Sequence, residues 1–260
     1  MPITNGLEWT FNTIASEYDK WNPTYVPELY QDIFLYKEIN QLSNVLEIGI
    51  GTGQATEPIL KTGCTLKAVE IGDKLAEFTR QKFRDYQTFS VVNIPFQDFV
   101  CIENTYDLIY SARAFHWIPE EIGYTKVFKM LKSGGVFARF ANHPFKDKGR
   151  EEIHIALQKI YAKYLPGTLS DLEYSEEAAK NRADIAKKYG FIDINYKLYH
   201  RTRTFNAEEY VSLLGTYSDH IAIEEQTRLK FFAEIQRAIE ELGNVITLYD
   251  TISLQLARKP

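Results

Sequence analysis

Residues 44–56 read NVLEIGIGTGQAT: a short apolar run, three glycines spaced G-x-G-x-G, and a segment compatible with a helix. Val45–Ile48, ending in glycine, has the pattern of a buried strand, and Gln54–Lys61 carries helical spacing that Gly63 closes. Glycines at such a corner let the backbone approach a ligand closely, while a helix N-terminus adds free N–H groups and partial positive charge. The spacing narrows the choice of ligand. A phosphate-binding loop needs a Gly-Lys pair that is absent here, and the dinucleotide fingerprint G-x-G-x-x-G needs its third glycine one residue later than Gly53. Glu47 sits on the strand just before the loop, where a carboxylate repels a pyrophosphate and attracts a cation. A cofactor carrying an ammonium and a sulfonium suits that position.

Working outward, Thr65–Glu70, Phe89–Asn93, Tyr106–Ser111 and Val136–Ala141 read as further strands, with helices over Lys74–Arg84 and around Tyr124–Leu131. Ser133-Gly134-Gly135 reads as a tight turn into the fifth strand. Strands alternating with helices predict an α/β fold, a mostly parallel sheet whose ligand site lies at the strand C-terminal ends where strand order reverses. Beyond residue 143 the pattern becomes helical: Glu151–Tyr164, Ser175–Tyr189, Ala207–Tyr217 and Glu224–Leu242, with strands at Ile192–Phe205 and Val245–Leu256. The late strands predict an antiparallel edge, and the surplus helices a lid.

Around the glycine loop, acidic residues recur at strand ends. Glu70 lies 21 residues past Gly49, where a carboxylate accepts hydrogen bonds from ribose hydroxyls. Gln97-Asp98-Phe99 follows the third strand, placing an acceptor for an adenine amino group beside an aromatic side chain.

The run VLEIGIGTGQAT, then AVE, FQDF, YDLIYSARAFHWI and MLKSGGVFARF resembles the class I S-adenosylmethionine-dependent methyltransferases. The resemblance spans about residues 10–143 and is looser beyond. SEYDKWNPTY and Ser111–Trp117 are similar to a small-molecule subgroup that includes trans-aconitate methyltransferase relatives, although Asn22 stands where that subgroup usually has arginine. The resemblance implies a Rossmann-like seven-stranded sheet with an antiparallel last strand and S-adenosyl-L-methionine as cofactor. It implies cofactor contacts from Tyr18, Glu47, Gly49, Gly51, Gly53, Glu70, Ile71, Asp98, Phe99 and Ser111. It places Arg113, Phe115, His116, Trp117 and Tyr217 at the methyl acceptor, with His116 as a candidate general base. Thr216–His220 and His143 are further polar candidates for that pocket. A single domain is expected, with a core of about 43–143, 171–205 and 244–258 and lid segments of about 1–40, 144–170 and 206–243.

Composition bounds the partners. Acidic residues outnumber basic ones 35 to 30 in 260 residues, so an extended nucleic-acid backbone is not the expected partner. Ser111–Phe115 also lacks the Asn-Pro-Pro-Tyr motif of nucleic-acid amino-group methyltransferases. Cys64 and Cys101 form neither a disulfide framework nor a metal cluster, and no metal is expected. The N-terminal MPITNGLEWTFNTIASEYDK lacks a basic head and apolar core, and no apolar run reaches about 20 residues. A cytoplasmic enzyme acting on a small molecule, at a carboxylate or hydroxyl oxygen, is the expectation. A cofactor-binding adaptor without turnover and a nicotinamide-dependent oxidoreductase are the alternatives. The acceptor and the oligomeric state are not legible.

Overall fold

The computed structural model describes residues 12, 14–100, 102–167 and 172–260. Cys101, residues 1–11 and 13, residues 168–170 of the expected lid and residue 171 of the expected core lie outside the described residues.

Seven strands form one sheet: β1 (Asn44–Ile48), β2 (Thr65–Glu70), β3 (Phe89–Asn93), β4 (Tyr106–Ala112), β5 (Leu131–Phe145), β6 (Ile192–Phe205) and β7 (Ile246–Arg258). Their order is β3-β2-β1-β4-β5-β7-β6. β1 to β5 pair in parallel, and β7 runs antiparallel to both β5 and β6. The expected seven-stranded sheet with an antiparallel last strand is therefore observed, with β7 inserted between β5 and β6. Strand order reverses between β1 and β4, so their C-terminal ends flank one crevice.

The period-2 alternation of β1 shows how both faces are buried. Val45 joins the cluster of Leu29, Tyr30 and Ile33 from α2 (Pro27–Tyr36), whereas Leu46 and Ile48 join Val127 and Met130 from α5 (Glu120–Met130). α1 (Ala15–Trp21) precedes α2, and α4 (Asp73–Lys82) covers β2 and β3. α2 thus belongs to the sheet's own layer, although it lies in the 1–40 stretch expected in the lid.

Two elements differ from their expected extents. The helix after the glycine loop, α3, spans only Glu57–Leu60, because Pro58 fixes its first turn and residues 54–56 are turns. Second, β5 begins at Leu131. The Ser133–Gly135 turn is absorbed as an irregularity where pairing jumps from Tyr106↔Leu131 to Leu108↔Val136, and Gly134 takes φ +71° there.

α6 (Glu151–Tyr164), α8 (Ala207–Leu214) and α10 (Glu225–Glu241) build a separate apolar cluster around Leu157, Leu213, Phe231 and Ile235. An Asn206–Glu209 capping box starts α8. α7 (Glu176–Asp184) packs on β6 and β7, and α9 (Ser218–Ile221) follows α8.

The long strands join these layers. β4 pairs with β5 as far as Ala112↔Phe140, so residues 141–145 continue past the rim paired with β7. On one face of β7, Ile246 and Leu248 enter the lid cluster while Ile252, Leu254 and Leu256 enter the sheet core. Asp250 sits between them with its carboxylate fully buried, taking hydrogen bonds from Arg203 Nε (2.5 Å) and Nη2 (3.0 Å) and Arg201 Nε (3.1 Å). Burial alone would raise its pKa, but the bonds and charge from Arg203 and Arg201 hold it below the usual carboxylate range. Asp250→Asn strands two guanidinium groups at this seam. It is expected to cost about 3–5 kcal/mol in urea unfolding, and a change under 1 kcal/mol would contradict this role.

Candidate active site

A cavity of about 1010 Å³ lies between the rim loops of β1, β2, β3 and β4 and the lid helices. That is the upper end of ordinary ligand pockets, which suits a cofactor and an acceptor together. Gly49 and Gly51 form its floor at one end. Gly49 has φ +71°, and a Cβ there would lie 2.2 Å from Ala114 Cβ, so the β1 and β4 loops touch only because residue 49 has no side chain. Gly51 also has positive φ, but open space lies before it, with nothing nearer to an added Cβ than Gln54 Oε1 at 4.0 Å.

Glu70 borders the same end. Its Oε2 accepts from Gly51 N (2.8 Å) and its Oε1 from Gly72 N (3.0 Å), while burial raises its pKa against those bonds. A carboxylate has about four acceptor sites, so one group can brace the loop and still meet ribose hydroxyls. Ile71, Ile94, Phe96 and Gln97 complete a slot for a flat base. Lys126 Nζ donates to the carbonyls of Phe96 (2.9 Å) and Gln97 (2.7 Å), fixing the 3-10 turn Phe96–Asp98. The open space before Gly51, the spare acceptor capacity of Glu70 and the flat apolar slot fit an adenosyl cofactor.

Several expected contacts lie elsewhere. Glu47 does not line the cavity. Strand alternation turns it into the sheet core, where its carboxyl accepts from Tyr110 Oη (2.7 Å) and Thr56 Oγ1 (2.8 Å). Burial pushes its pKa up to about 8, so at neutral pH it is largely an uncharged acid and not the sulfonium counterion its position suggested. Gly53 is also outside the wall; a Cβ there would meet the Phe83 ring at 2.4 Å. Ser111 is fully buried and its hydroxyl donates to Ile48 O (2.8 Å), tying β4 to β1. In the 3-10 turn Phe96 and Gln97 line the cavity whereas the exposed Asp98 and the core residue Phe99 do not, although Phe96 also packs in the same core cluster. Phe115 is likewise core, packed on Tyr124 and Phe137 at 5.1 and 4.8 Å. The pattern Ile-Pro-Phe-Gln at the end of β3 was the available signal for Phe96, because proline forces the chain to turn there.

Tyr18, Arg113, His116, Trp117 and Tyr217 do meet at the other end of the cavity. Arg113 adopts φ +58°, and among the described residues the other non-glycine positive-φ positions are Asn or Asp, which tolerate it. Its N–H bonds to Phe140 O (3.0 Å), and its Nη1 donates to Asn22 Oδ1 at 3.4 Å. His116 keeps solvent access through the cavity, and desolvation with the charges of Arg139 and Arg113 lowers its pKa to about 4. His143 is lowered to about 4 by the same causes, accepts or donates at Ser253 Oγ (3.0 Å), and stacks on Tyr174 at 3.6 Å. The sequence had no signal for Tyr161, whose Oη meets His220 Nε2 at 2.8 Å across 59 positions. Among the described residues no cluster of three or more His, Cys, Asp or Glu side chains is placed to hold a metal. No helix there is long and apolar enough to cross a membrane.

Two outcomes follow from these contacts. Because Glu47 has its folded pKa raised above its unfolded one, its contribution to stability is full below about pH 4.5 and is lost as pH rises through about 8. Wild-type unfolding free energy should therefore fall between pH 5 and 8 and Glu47→Gln should flatten that slope; parallel slopes would refute the neutral acid. Phe96→Ala should weaken S-adenosylhomocysteine binding about tenfold, whereas Asp98→Ala should leave it unchanged, and calorimetry giving the reverse order would restore Asp98 as the base contact.

Residues 46–139 match the methyltransferase domain family. The chain is 23% identical over 236 residues to an uncharacterized methyltransferase of Schizosaccharomyces pombe, covering 90% of this chain and 88% of that one. Among solved structures, the fold resembles a chain from Anaeromyxobacter dehalogenans (TM-score 0.66, 17% identity, 91% of this chain and 97% of that one). It also resembles phosphoethanolamine N-methyltransferase 2 of Haemonchus contortus, solved with S-adenosyl-L-methionine (TM-score 0.56, 14% identity). The match covers 96% of this chain but only 57% of that longer one. From the matched domain, these relatives and the sheet order, the chain is an S-adenosylmethionine-dependent methyltransferase of the Rossmann-like class I fold.

Proposed function

We propose that the enzyme methylates an oxygen of a small-molecule acid whose carboxylate is held by Arg113. The observation that carries this is the state of that side chain. It lines the cavity beyond the glycine loop, yet among the described residues no carboxylate lies within ion-pair distance of it. A guanidinium stays charged in any protein setting, and an unpaired one in a low-dielectric wall attracts an anionic ligand strongly. Neighbouring acids are already engaged: Asp250 with Arg201 and Arg203, and Asp219 with His220. The subgroup arginine missing at Asn22 also has a counterpart, because Arg113 reaches the same place from β4 and bonds to Asn22.

When bound, the cofactor supplies a methyl group activated by a sulfonium leaving group. An ionised carboxylate needs no proton removed, so this reading requires no general base. Arg113 orients the acceptor, His116 and Trp117 wall it, and the lid helices exclude water. The acidic balance of the chain supports a small acceptor over a nucleic acid.

Calorimetric titration with S-adenosylhomocysteine is expected to give micromolar binding and NADH none. In assays of methyl-ester formation from small carboxylic acids, Arg113→Gln should raise KM about 10- to 100-fold with a much smaller change in kcat, as expected for losing a charged hydrogen bond. An unchanged KM would remove Arg113 from the acceptor site.

A further inference from the structure

Beyond Arg113, several polar side chains of the cavity wall are engaged within the protein, and apolar side chains of the lid stand beside them. Tyr161 Oη lies 2.8 Å from His220 Nε2, and His220 Nδ1 lies 2.7 Å from Asp219 Oδ1. The His220 ring then stacks on Phe231 at 5.7 Å. Thr216 Oγ1 accepts from Asn22 Nδ2 (2.9 Å) and donates to Leu213 O (2.7 Å). The Asp147 carboxylate accepts the backbone N–H groups of Gly149 and Thr247, both at 2.9 Å. Leu157 and Leu248, from α6 and β7, continue the same wall into the lid cluster.

We infer that the acceptor is an amphipathic carboxylic acid, its single carboxylate at Arg113 and its apolar body lying along Tyr161, Leu157 and Leu248. This rests on the reading of Arg113 given above and extends it. A second carboxylate on the acceptor would face a wall with no unengaged cation, and burying it unpaired is costly. A hydrocarbon body there instead gains in proportion to the apolar area it loses to water. Transfer follows as a balanced displacement: the carboxylate oxygen forms a bond to the methyl carbon, the methyl–sulfur bond breaks, and its electron pair stays on sulfur. The products are the neutral methyl ester and the neutral thioether, with no proton transferred.

The test titrates butanoate, hexanoate, octanoate and decanoate into the full chain saturated with S-adenosylhomocysteine, with succinate and 1-octanol as controls. Binding is expected to tighten about three- to fourfold per methylene, with succinate and 1-octanol at least tenfold weaker than octanoate. Arg113→Gln should weaken every acid by a similar factor and leave the chain-length slope intact, whereas Leu157→Phe should move the optimum to shorter acids. Unaltered S-adenosylhomocysteine binding in each variant confirms that the fold survives. A flat chain-length dependence, or succinate binding tighter than octanoate, overturns the amphipathic acceptor. With S-adenosylmethionine, methyl esters of polar acids alone would overturn this inference but leave the proposed function standing. Length-graded binding with no ester from any acid would uphold the pocket's preference and overturn the oxygen-transfer reading instead.

Discussion

One buried carboxylate holds the two halves of this molecule together. Asp250 lies on the β7 face whose lower residues belong to the sheet core and whose upper residues belong to the lid cluster. A full charge at that seam is tolerable because Arg203 grips it through two nitrogens and Arg201 through a third. The same Arg201 donates to Asn142 Oδ1 (3.1 Å) on β5 and to Thr24 O (2.6 Å) in the segment between α1 and α2. That segment carries Asn22, which in turn meets Arg113 and Thr216. Rim loop, N-terminal segment and lid are thus connected through polar contacts radiating from one acid. An apolar residue at 250 could fill the space, but it would leave Arg201 and Arg203 without their shared partner.

The parallel part of the sheet was legible because β1 to β4 are short runs rich in apolar residues bounded by glycine or polar turns. β2, β3, β6 and α6 occupy the expected ranges. The cofactor end was legible as a region, since glycines at positive φ and an acid after β2 leave clear marks in a chain. Which side chains actually face the ligand was less so. Glu47 and Ser111 look exposed by their place at strand ends, yet each faces inward because of strand alternation, which a motif does not display. The aromatic that lines the cavity is residue 96 and not the expected 99, because it stands at the other end of a 3-10 turn. The acceptor wall was legible only in part: Tyr217 and His220 stand in one polar segment of the sequence, whereas Tyr161 and Tyr174 come from α6 and the segment before α7 and join them only in the folded chain.

An uncharged Glu47 changes how the glycine loop is understood. The loop is held from below by neutral hydrogen bonds through Thr56 and Tyr110, and from the side by Glu70, whose two oxygens take the N–H groups of Gly51 and Gly72. Lys82 adds a bond to Thr52 O (3.0 Å) while pairing with Asp19 of α1 at 2.5 Å. The conformation is therefore set before any ligand arrives, which lowers the ordering cost of binding. With α3 only four residues long, little macrodipole is available there. Positioning by preformed backbone and by Glu70 takes its place.

The placement of Arg113 then follows from the same economy of rigid parts. Its left-handed backbone carries a strain of about 1–3 kcal/mol in a non-glycine residue, and its side chain gains no carboxylate partner in return. Both costs are borne by the surrounding structure: Phe140 O holds its N–H, and the Gly49–Ala114 contact leaves the loop no room to relax. A glycine at 113 would relieve the backbone but remove the cation, and a lysine would keep the charge without a planar fork matched to a carboxylate. On the proposed reading, the strained arginine is thus the residue at which the fold gives up stability to hold an anion, at the point where the rim of the sheet meets the lid.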